Sequence, residues 1–217
     1  MRVLFVATHP DDETLGCGGT IFHHKEKGDD IYWLIITSHE DIKNNSVKIR
    51  NDEIRSVNKN YGFRKFFNLY FPPAKLDTMP YNLMIDKVKE VYTSIKPQTV
   101  YFPFENDVHT DHQITSKLIQ STIKWFRYPF IKKAIMYETV SETDFNFGLK
   151  NNFKPNLFIN IEKYINLKIK IMHEYKSEIG EFPFPRSEKA IRALSNIRGS
   201  QSGYMNAEAF QILFSKE

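Results

Sequence analysis

Residues 3–13, with the sequence VLFVATHPDDE, join a short apolar run to one histidine and three acidic residues. A run of this length that is rich in valine, leucine and phenylalanine is typical of a buried strand. The following segment carries small and apolar residues at helical spacing from Leu15 to Phe22 and ends near Gly28, so it predicts a helix. The sequence therefore places the polar cluster where a first strand passes into a first helix.

The same alternation continues through the first half of the chain. Three more apolar runs predict strands, at residues 31–37, 66–69 and 99–102. Three more helices are predicted: one from Ser46 to Gly62, one over residues 81–95, and one that begins at a Thr-x-x-Gln capping box, residues 110–113. Strands that alternate with helices are typical of a parallel sheet with crossover helices, so an α/β fold is expected.

The pattern is weaker beyond residue 133. Strands are predicted at residues 135–137 and 157–159, with a long polar loop over 139–156 between them. A helix is predicted from Ile161 to Tyr175, and two more helical segments are expected after a Phe/Pro turn. No repeat, low-complexity tract or linker divides the sequence, so a single domain over residues 1–217 is expected.

The composition limits the classes of protein and of metal site. The chain has 217 residues, of which 41% are hydrophobic, as in an ordinary globular domain. Its single cysteine, Cys17, excludes an internal disulfide and a zinc site built from several cysteines. The longest apolar run, residues 31–36, is far shorter than the roughly 20 residues that span a bilayer. Because no export signal is visible either, a cytoplasmic location is expected.

The charge is small but uneven. A net charge of +4 is too low to indicate a nucleic-acid partner. Residues 1–112 carry a net −2, whereas residues 113–217 carry a net +6. Two interpretations stay open for the basic half: lysine-rich helix faces in contact with solvent, or a rim that attracts an anionic substrate.

A second polar cluster, residues 106–112 with the sequence NDVHTDH, lies between the fourth predicted strand and the fourth helix. In an open α/β sheet the loops that leave the carboxyl ends of parallel strands share one edge, and strands one and four are commonly neighbours. The two clusters are therefore expected to meet. Two imidazoles and one carboxylate suit zinc and leave a coordination position open, and a further carboxylate could accept a proton.

Each of these residues also has a simpler interpretation. Asp11 or Asp12 could cap the first helix, and Asp111 could complement the dipole of the fourth. The glycines of residues 16–19 do not complete a dinucleotide-binding G-x-G-x-x-G motif, because Ile21 stands at the third glycine position. They more plausibly let the first helix pack close to the sheet.

Together the two clusters resemble those of the LmbE-like, PIG-L type zinc N-deacetylases. Weaker similarities to that family extend over nearly the whole chain, at Arg50-x-x-Glu53, Tyr137-Glu138, Phe153-x-Pro155-Asn156, Tyr175-x-Ser177, Arg198-Gly199 and residues 207–210. Glu178 departs from the family, in which many members carry glutamine, and no role is assigned to it. The resemblance implies a Rossmann-like, three-layer fold with the active site at the carboxyl ends of the strands.

The resemblance also implies a function and a set of site residues. His9, Asp12 and His112 would hold one Zn²⁺ per chain, and Asp11 would be the general base; spacing alone leaves the choice between Asp11 and Asp12 open. The expected reaction removes the acetyl group from an N-acetylglucosamine-type sugar or sugar conjugate, as water acidified by zinc attacks the amide carbonyl.

Further residues are assigned to the same reaction. His109 could stabilise the oxyanion, with Asp107 or Asp111 holding its imidazole, and either His109 or Asp11 could protonate the leaving amine. Asp111 is thereby counted with the catalytic residues, and Asp107 and Arg50 are expected to contact substrate. Arg50 lies on the apolar stripe of the second helix, where it could pair with Glu53 or grip sugar hydroxyls or a phosphate. The family favours the second role.

The expected partner is a small amino sugar, neutral or anionic, and a homo-oligomer is compatible with the sequence. Three alternatives stay open: an amidase for a larger acyl group, a non-catalytic sugar-binding protein on the same fold, and a metal-free α/β protein that binds a nucleotide. Asp11 argues against the non-catalytic alternative, because a protein that only binds a metal does not need a further carboxylate beside the ligands.

Overall fold

The computed structural model describes residues 1–39, 45–148 and 152–217. Its strands are β1 (Arg2–Ala7), β2 (Asp30–Thr37), β3 (Lys65–Phe71), β4 (Thr99–Pro103), β5 (Lys133–Tyr137), β6 (Leu157–Asn160) and β7 (Ala207–Ser215). Its helices are α1 (Asp12–Glu26), α2 (Asn45–Tyr61), α3 (Tyr81–Ile95), α4 (Thr110–Thr122), α5 (Ile165–Met172) and α6 (Glu188–Ser202), with a short 3-10 helix at Leu76–Thr78.

All seven strands form one sheet in the order β3-β2-β1-β4-β5-β7-β6. The strands from β3 to β5 pair in parallel, and β7 is antiparallel to both β5 and β6. The predicted α/β, Rossmann-like fold is confirmed. Strand order reverses between β1 and β4, so the loops that follow these two strands open side by side.

The sheet is covered on both faces, which makes three layers. Successive residues of β1 point to opposite faces, so Phe5 belongs to a core shared with α1, α2, α5 and α6, whereas Leu4 belongs to a core shared with α3 and α4. Burial on both faces explains why β1 and β2 are continuously apolar rather than alternating.

The second half of the chain differs from the prediction in two places. The last predicted helical segment is the strand β7, because residues 207–215 pair with β5 on one side and β6 on the other. The helix predicted from Ile161 to Tyr175 is shorter, as α5 spans Ile165–Met172. Residues 149–151 of the predicted loop lie outside the described residues; the described parts of 139–156 contain no helix or strand.

Two helix starts also differ. Helix α2 already includes Asn45, where the described residues resume, so the predicted cap Ser46 lies inside the helix. Helix α4 is capped by His109 rather than by Thr110, because the His109 side chain accepts a hydrogen bond from the backbone N–H of Asp111. Within the described ranges, no helix combines the length and the apolar character needed to cross a membrane.

The glycines of α1 allow the close packing that the sequence suggested. A Cβ atom at Gly16 would lie 2.2 Å from a ring carbon of Tyr137 in β5, and one at Gly19 would lie 2.4 Å from Ile161. Both distances are far below a van der Waals contact. The absence of side chains at these positions therefore sets how closely the helix that follows the first polar cluster approaches the sheet.

Candidate active site

The first polar cluster forms a tight turn between β1 and α1. Asp11 has a positive φ of 138°, a region that residues with a side chain rarely adopt. Its backbone N–H donates to Glu13 Oε2 at 3.1 Å, and its side chain makes no capping hydrogen bond to α1. Asp11 therefore stands at the N-cap position of α1, but its side chain does not cap the helix. Its carboxylate faces a cavity instead.

Asp12 faces the second cluster. Its Oδ2 accepts a hydrogen bond from the backbone N–H of His9 at 2.8 Å and lies 3.3 Å from His112 Nε2 and 3.8 Å from His9 Nδ1. Burial by itself raises the pKa of a carboxyl, but the neighbouring His112 and His9 hold the pKa of Asp12 well below its usual range. Asp12 is therefore ionised and surrounded by nitrogen atoms.

Asp107 fixes the orientation of His112. His112 Nδ1 lies 2.9 Å from Asp107 Oδ2, while Asp107 Oδ1 accepts a hydrogen bond from Thr143 Oγ1 at 2.6 Å. Asp107 is fully buried, and it does not border the cavity. The prediction that it contacts substrate or holds His109 is not supported, because both of its oxygens are engaged elsewhere. Its contact leaves His112 Nε2 directed at Asp12.

Asp111 is held by backbone rather than by His109. Its carboxylate accepts hydrogen bonds from the N–H groups of Ala74 at 2.6 Å and Leu76 at 3.2 Å, and it lies 3.3 Å from His9 Nε2. The prediction that this carboxylate holds the His109 imidazole is wrong. The Asp111 carboxylate positions His9 instead, so that His9 Nδ1 faces Asp12.

Two groups of described residues have donor atoms close enough to share one metal ion. They are His9, Asp12 and His112, and His9, His109 and Asp111, with the ligand atoms of each group within 4.8 Å of one another. The first group fits better. Asp107 supports His112 from behind, as outer-shell carboxylates support metal-binding histidines, whereas the oxygens of Asp111 are already occupied.

The charges of the first group also favour a bound cation. Although burial opposes it, Asp12 and Asp107 on either side raise the pKa of His112 well above its usual value. A site that draws a proton onto a buried imidazole is one in which negative charge is in excess. Two imidazole nitrogens and a carboxylate oxygen are also a donor set that suits zinc.

His109 lies at the mouth of the same site. Its ring centroid is 4.7 Å from that of His9, and it borders the cavity. Its Nδ1 accepts a hydrogen bond of 3.1 Å from the backbone N–H of Asp111. Burial, followed by the charges of His9 and His112, lowers the pKa of His109, which favours a neutral ring.

The cavity beside these residues has a volume of about 680 Å³, a size typical of small-molecule sites. His9, Asp11 and His109 border it at the sheet edge, and Val47 and Ile49 of α2 provide apolar wall. One predicted metal ligand, His9, and the predicted base, Asp11, therefore border a cavity of a size that suits a small molecule.

Arg50 also borders the cavity, and it makes the pairing with Glu53 that was one of its two predicted roles; its contact with substrate stays a prediction. Its guanidinium pairs with Glu53 Oε2 at 3.3 Å and donates to Ser177 Oγ at 3.0 Å. It also contacts the carbonyl of Pro10 at 3.4 Å and forms a very short ion pair with Glu178.

Arg186 is a site residue that the sequence did not reveal. Its guanidinium donates to Asp11 Oδ2 at 2.9 Å and also pairs with Glu178 and Glu142. Burial and the nearby Asp12 raise the pKa of Asp11 well above its usual value, and Arg186 opposes that shift. No local motif marks Arg186 as a partner of Asp11, because it follows a Phe/Pro turn 175 residues later in the chain. The one feature of the sequence that could have indicated a site residue there is an isolated arginine at such a turn.

Glu13 forms a second, buried support that the sequence missed. Its Oε1 accepts hydrogen bonds from Thr14 Oγ1 and Tyr175 OH, each at 2.7 Å, while Oε2 accepts from the backbone of Asp11. Burial raises its pKa to about 7. Glu13 and Tyr175 therefore fix the turn that carries Asp11.

Comparison with known proteins gives consistent similarities. Residues 4–123 match the family model described as PIG-L, GlcNAc-PI de-N-acetylase. Diacetylchitobiose deacetylase of Thermococcus kodakarensis is 23% identical over 98% of this chain and 83% of its own length.

Solved structures share the fold at low identity. The N,N'-diacetylchitobiose deacetylase of Pyrococcus horikoshii, complexed with its inhibitor MPG, superposes with a TM-score of 0.79 at 20% identity, over 98% of this chain and 83% of that one. The 4-carboxy-2-hydroxymuconate hydratase of Pseudomonas putida KT2440 superposes with a TM-score of 0.78 at 15% identity, over 100% and 97%. Proteins named for two different reactions therefore share this fold.

Proposed function

This chain belongs to the PIG-L, GlcNAc-PI de-N-acetylase family, and we propose that it is a zinc-dependent hydrolase that removes the N-acetyl group from an N-acetylglucosamine-type sugar or sugar conjugate. We propose further that residues 1–217 act as one domain. The observation that carries the function is that His9, Asp12 and His112 meet close to a separate carboxylate, Asp11, and that His9 and Asp11 border one cavity. The deacetylase name of the Thermococcus relative supports the choice of substrate.

In this proposal His9, Asp12 and His112 hold the zinc ion. Bound there, zinc supplies a Lewis acid that polarises the amide carbonyl and makes water acidic near neutral pH. Asp107 contacts His112 Nδ1 and so keeps His112 Nε2 directed at the site. Asp111 contacts His9 Nε2 and so keeps His9 Nδ1 directed at the site.

Asp11 acts as the general base. It is buried, is not needed as a ligand, and has a pKa raised well above its usual value, mainly by burial. A base with a raised pKa takes up a proton more readily near neutral pH. Arg186, 2.9 Å away, holds the carboxylate in place, and Glu13 holds the backbone behind it. Asp11 can then return its proton to the leaving amine.

His109 stabilises the negative oxygen that develops on the carbonyl. Since its Nδ1 accepts a hydrogen bond from Asp111 N–H, the proton of the neutral ring is on Nε2. That N–H is available as a donor to the oxyanion, and such a donor is typically worth 10²- to 10³-fold in rate.

The proposal is tested by measuring free amine release from an N-acetylglucosamine glycoside by the zinc-loaded protein. Asp11→Asn should keep the metal, because Asp11 is not a ligand, and lose about 10²- to 10⁴-fold in kcat as a general base is removed. Asp52→Asn, an exposed carboxylate on α2, is the matched control and should keep wild-type turnover.

Two results would contradict the proposal. One is the absence of amine release from any N-acetylated sugar by zinc-loaded wild type, and the other is full activity in Asp11→Asn. Replacing the acetyl group with a butanoyl group in the same glycoside tests the amidase alternative, for which the larger acyl group should be the better substrate.

A further inference from the structure

Two arginines border the cavity, and both are already paired. Arg50 comes from α2 and Arg186 from the segment before α6. A guanidinium pair of this kind would usually bind a phosphate or carboxylate strongly, because each fork can donate two parallel hydrogen bonds. Their contacts therefore decide whether an anionic substrate can use them.

Glu178 joins the two guanidinium groups. Its Oε1 forms the very short ion pair with Arg50, and its Oε2 accepts from Arg186 Nη1 at 2.8 Å. Among the described residues, Glu178 is the one carboxylate with a salt bridge to each of these arginines. Its side chain is only about a quarter exposed (26%), so water and salt screen the pairs incompletely.

Other carboxylates complete the neutralisation. Glu53 pairs with Arg50 at 3.3 Å, and Glu142 and Asp11 pair with Arg186 at 3.2 and 2.9 Å. Four carboxylates thus surround two guanidinium groups. An anionic group that entered this part of the cavity would have to displace one of them or lie beside it, and repulsion opposes either arrangement.

We propose that Glu178 is a specificity-determining residue that withholds Arg50 and Arg186 from anionic groups, so that the cavity accepts uncharged N-acyl saccharides and discriminates against their phosphate, sulfate or carboxylate derivatives. This inference rests on the proposed function for the identity of the ligand as an N-acyl sugar. It deepens that function by giving the substrate's charge class.

The amide Glu178→Gln is the decisive variant. Its carbonyl can still accept from one arginine, but its NH₂ group would face the other guanidinium, which thereby loses one of its carboxylate partners and becomes less neutralised toward an anion. Glu178→Ala, which removes the Glu178 ion pair from both arginines and leaves their other carboxylate partners in place, is a second variant in case the amide disturbs the turn. Glu181→Gln is the control, since it makes the same charge change at an exposed position three residues away.

The readout is binding rather than turnover. Calorimetric titration of the zinc-loaded protein uses methyl N-acetylglucosaminide and its 4- and 6-sulfates, each with CH₂ in place of the amide NH so that no ligand is hydrolysed. It gives, for each variant, the ratio of the sulfate Kd to the neutral Kd. In the wild type this ratio should exceed one. Glu178→Gln and Glu178→Ala should lower it by about fivefold to tenfold, as expected for removing one poorly screened charge, and Glu181→Gln should leave it unchanged.

An unchanged ratio in both Glu178 variants overturns the inference, as does a wild type that binds a sulfate ester more tightly than the neutral sugar, or an equal shift in Glu181→Gln. Absence of binding of all three sugars overturns it as well. Amine release is measured separately on the same proteins. If the ratio shifts as expected while no variant releases amine, the deacetylase function fails and the charge selectivity of the cavity stands.

Discussion

The Nδ1 atom of His109 accepts a hydrogen bond from the backbone N–H of Asp111, two residues further along the chain, at 3.1 Å. A ring nitrogen that accepts cannot carry the proton, so the neutral ring carries it on Nε2. The start of helix α4 thus sets the tautomer of a histidine at the mouth of the cavity. No acidic side chain is needed for this.

We expect His109→Ala to lower kcat by about 10²- to 10³-fold with little change in metal content, because it removes a donor to the oxyanion and not a ligand. His109→Gln should recover part of the activity, since an amide N–H can donate. His173→Ala, at an exposed position, is the control. Steady-state kinetics with zinc analysis test this. Loss of zinc in His109→Ala would instead favour the second metal group, which includes His109.

Asp107→Asn should weaken zinc binding by about 10- to 100-fold, the usual effect of removing a carboxylate that supports a metal-binding histidine. An amide at this position can present its NH₂ group to His112 Nδ1 and so favour the wrong tautomer. Competition with a chromophoric chelator gives the affinity. The control Asp77→Asn, at an exposed position, should leave the zinc affinity unchanged. Equal zinc affinities for Asp107→Asn and wild type would show that the contact between Asp107 and His112 does not act on the metal.

Glu13 should make stability fall as pH rises toward neutrality. Burial raises its pKa from the ordinary 4.5 to about 7, so the folded protein binds more protons than the unfolded chain between these values. The free energy of unfolding contributed by this group therefore decreases over that window, by about 3 kcal/mol in all.

Urea unfolding of the metal-free protein between pH 4.5 and 7 measures the effect, since a bound cation would itself lower the pKa of Glu13. Glu13→Gln should make the decrease smaller than in wild type by about 3 kcal/mol, whereas Glu90→Gln, at an exposed position, should leave it unchanged. Parallel pH profiles for wild type and Glu13→Gln would mean that Glu13 is ionised throughout.

Gly16→Ala should destabilise the fold strongly. Its Cβ would lie 2.2 Å from the ring of Tyr137, whose hydroxyl donates to the carbonyl of Val6 at 2.8 Å and whose side chain is fully buried. Overpacking of this kind costs about 3 kcal/mol. Gly28→Ala has open space but a φ of 76°, so it should cost about 1 kcal/mol. Urea denaturation gives the free energy of unfolding of both variants. A smaller loss of stability in Gly16→Ala than in Gly28→Ala would contradict the close packing of Gly16 on Tyr137.

The sequence was sufficient to predict the parts of the fold that depend on local pattern. Continuous apolar runs identified β1 and β4, and the neighbouring placement of these strands in an open sheet brought His9, Asp12 and His112 together. Strand β7 could not be recognised in the same way. Its residues 207–213, AEAFQIL, favour helix, and only pairing with β5 and β6 makes them a strand.

The electrostatic partners were less accessible to sequence reasoning than the ligands. Arg186 reaches Asp11 across 175 residues, and Tyr175 reaches Glu13 across 162. Such contacts depend on how α5, α6 and the intervening turn pack against α1, which no spacing rule describes. Asp107 and Asp111 were identified as members of the site, but their oxygens were assigned to the wrong neighbours, since a cluster of residues does not specify its hydrogen bonds.

His9 and Asp12 lie at the start of α1, which covers one face of the sheet, whereas His112 lies on α4, which covers the other. A cation shared by these residues would join the two outer layers at the sheet edge and would bind the folded chain in preference to the unfolded one. With the proposed zinc ion bound there, the folded chain would resist proteases longer than the apo form, so limited proteolysis reports metal binding independently of turnover.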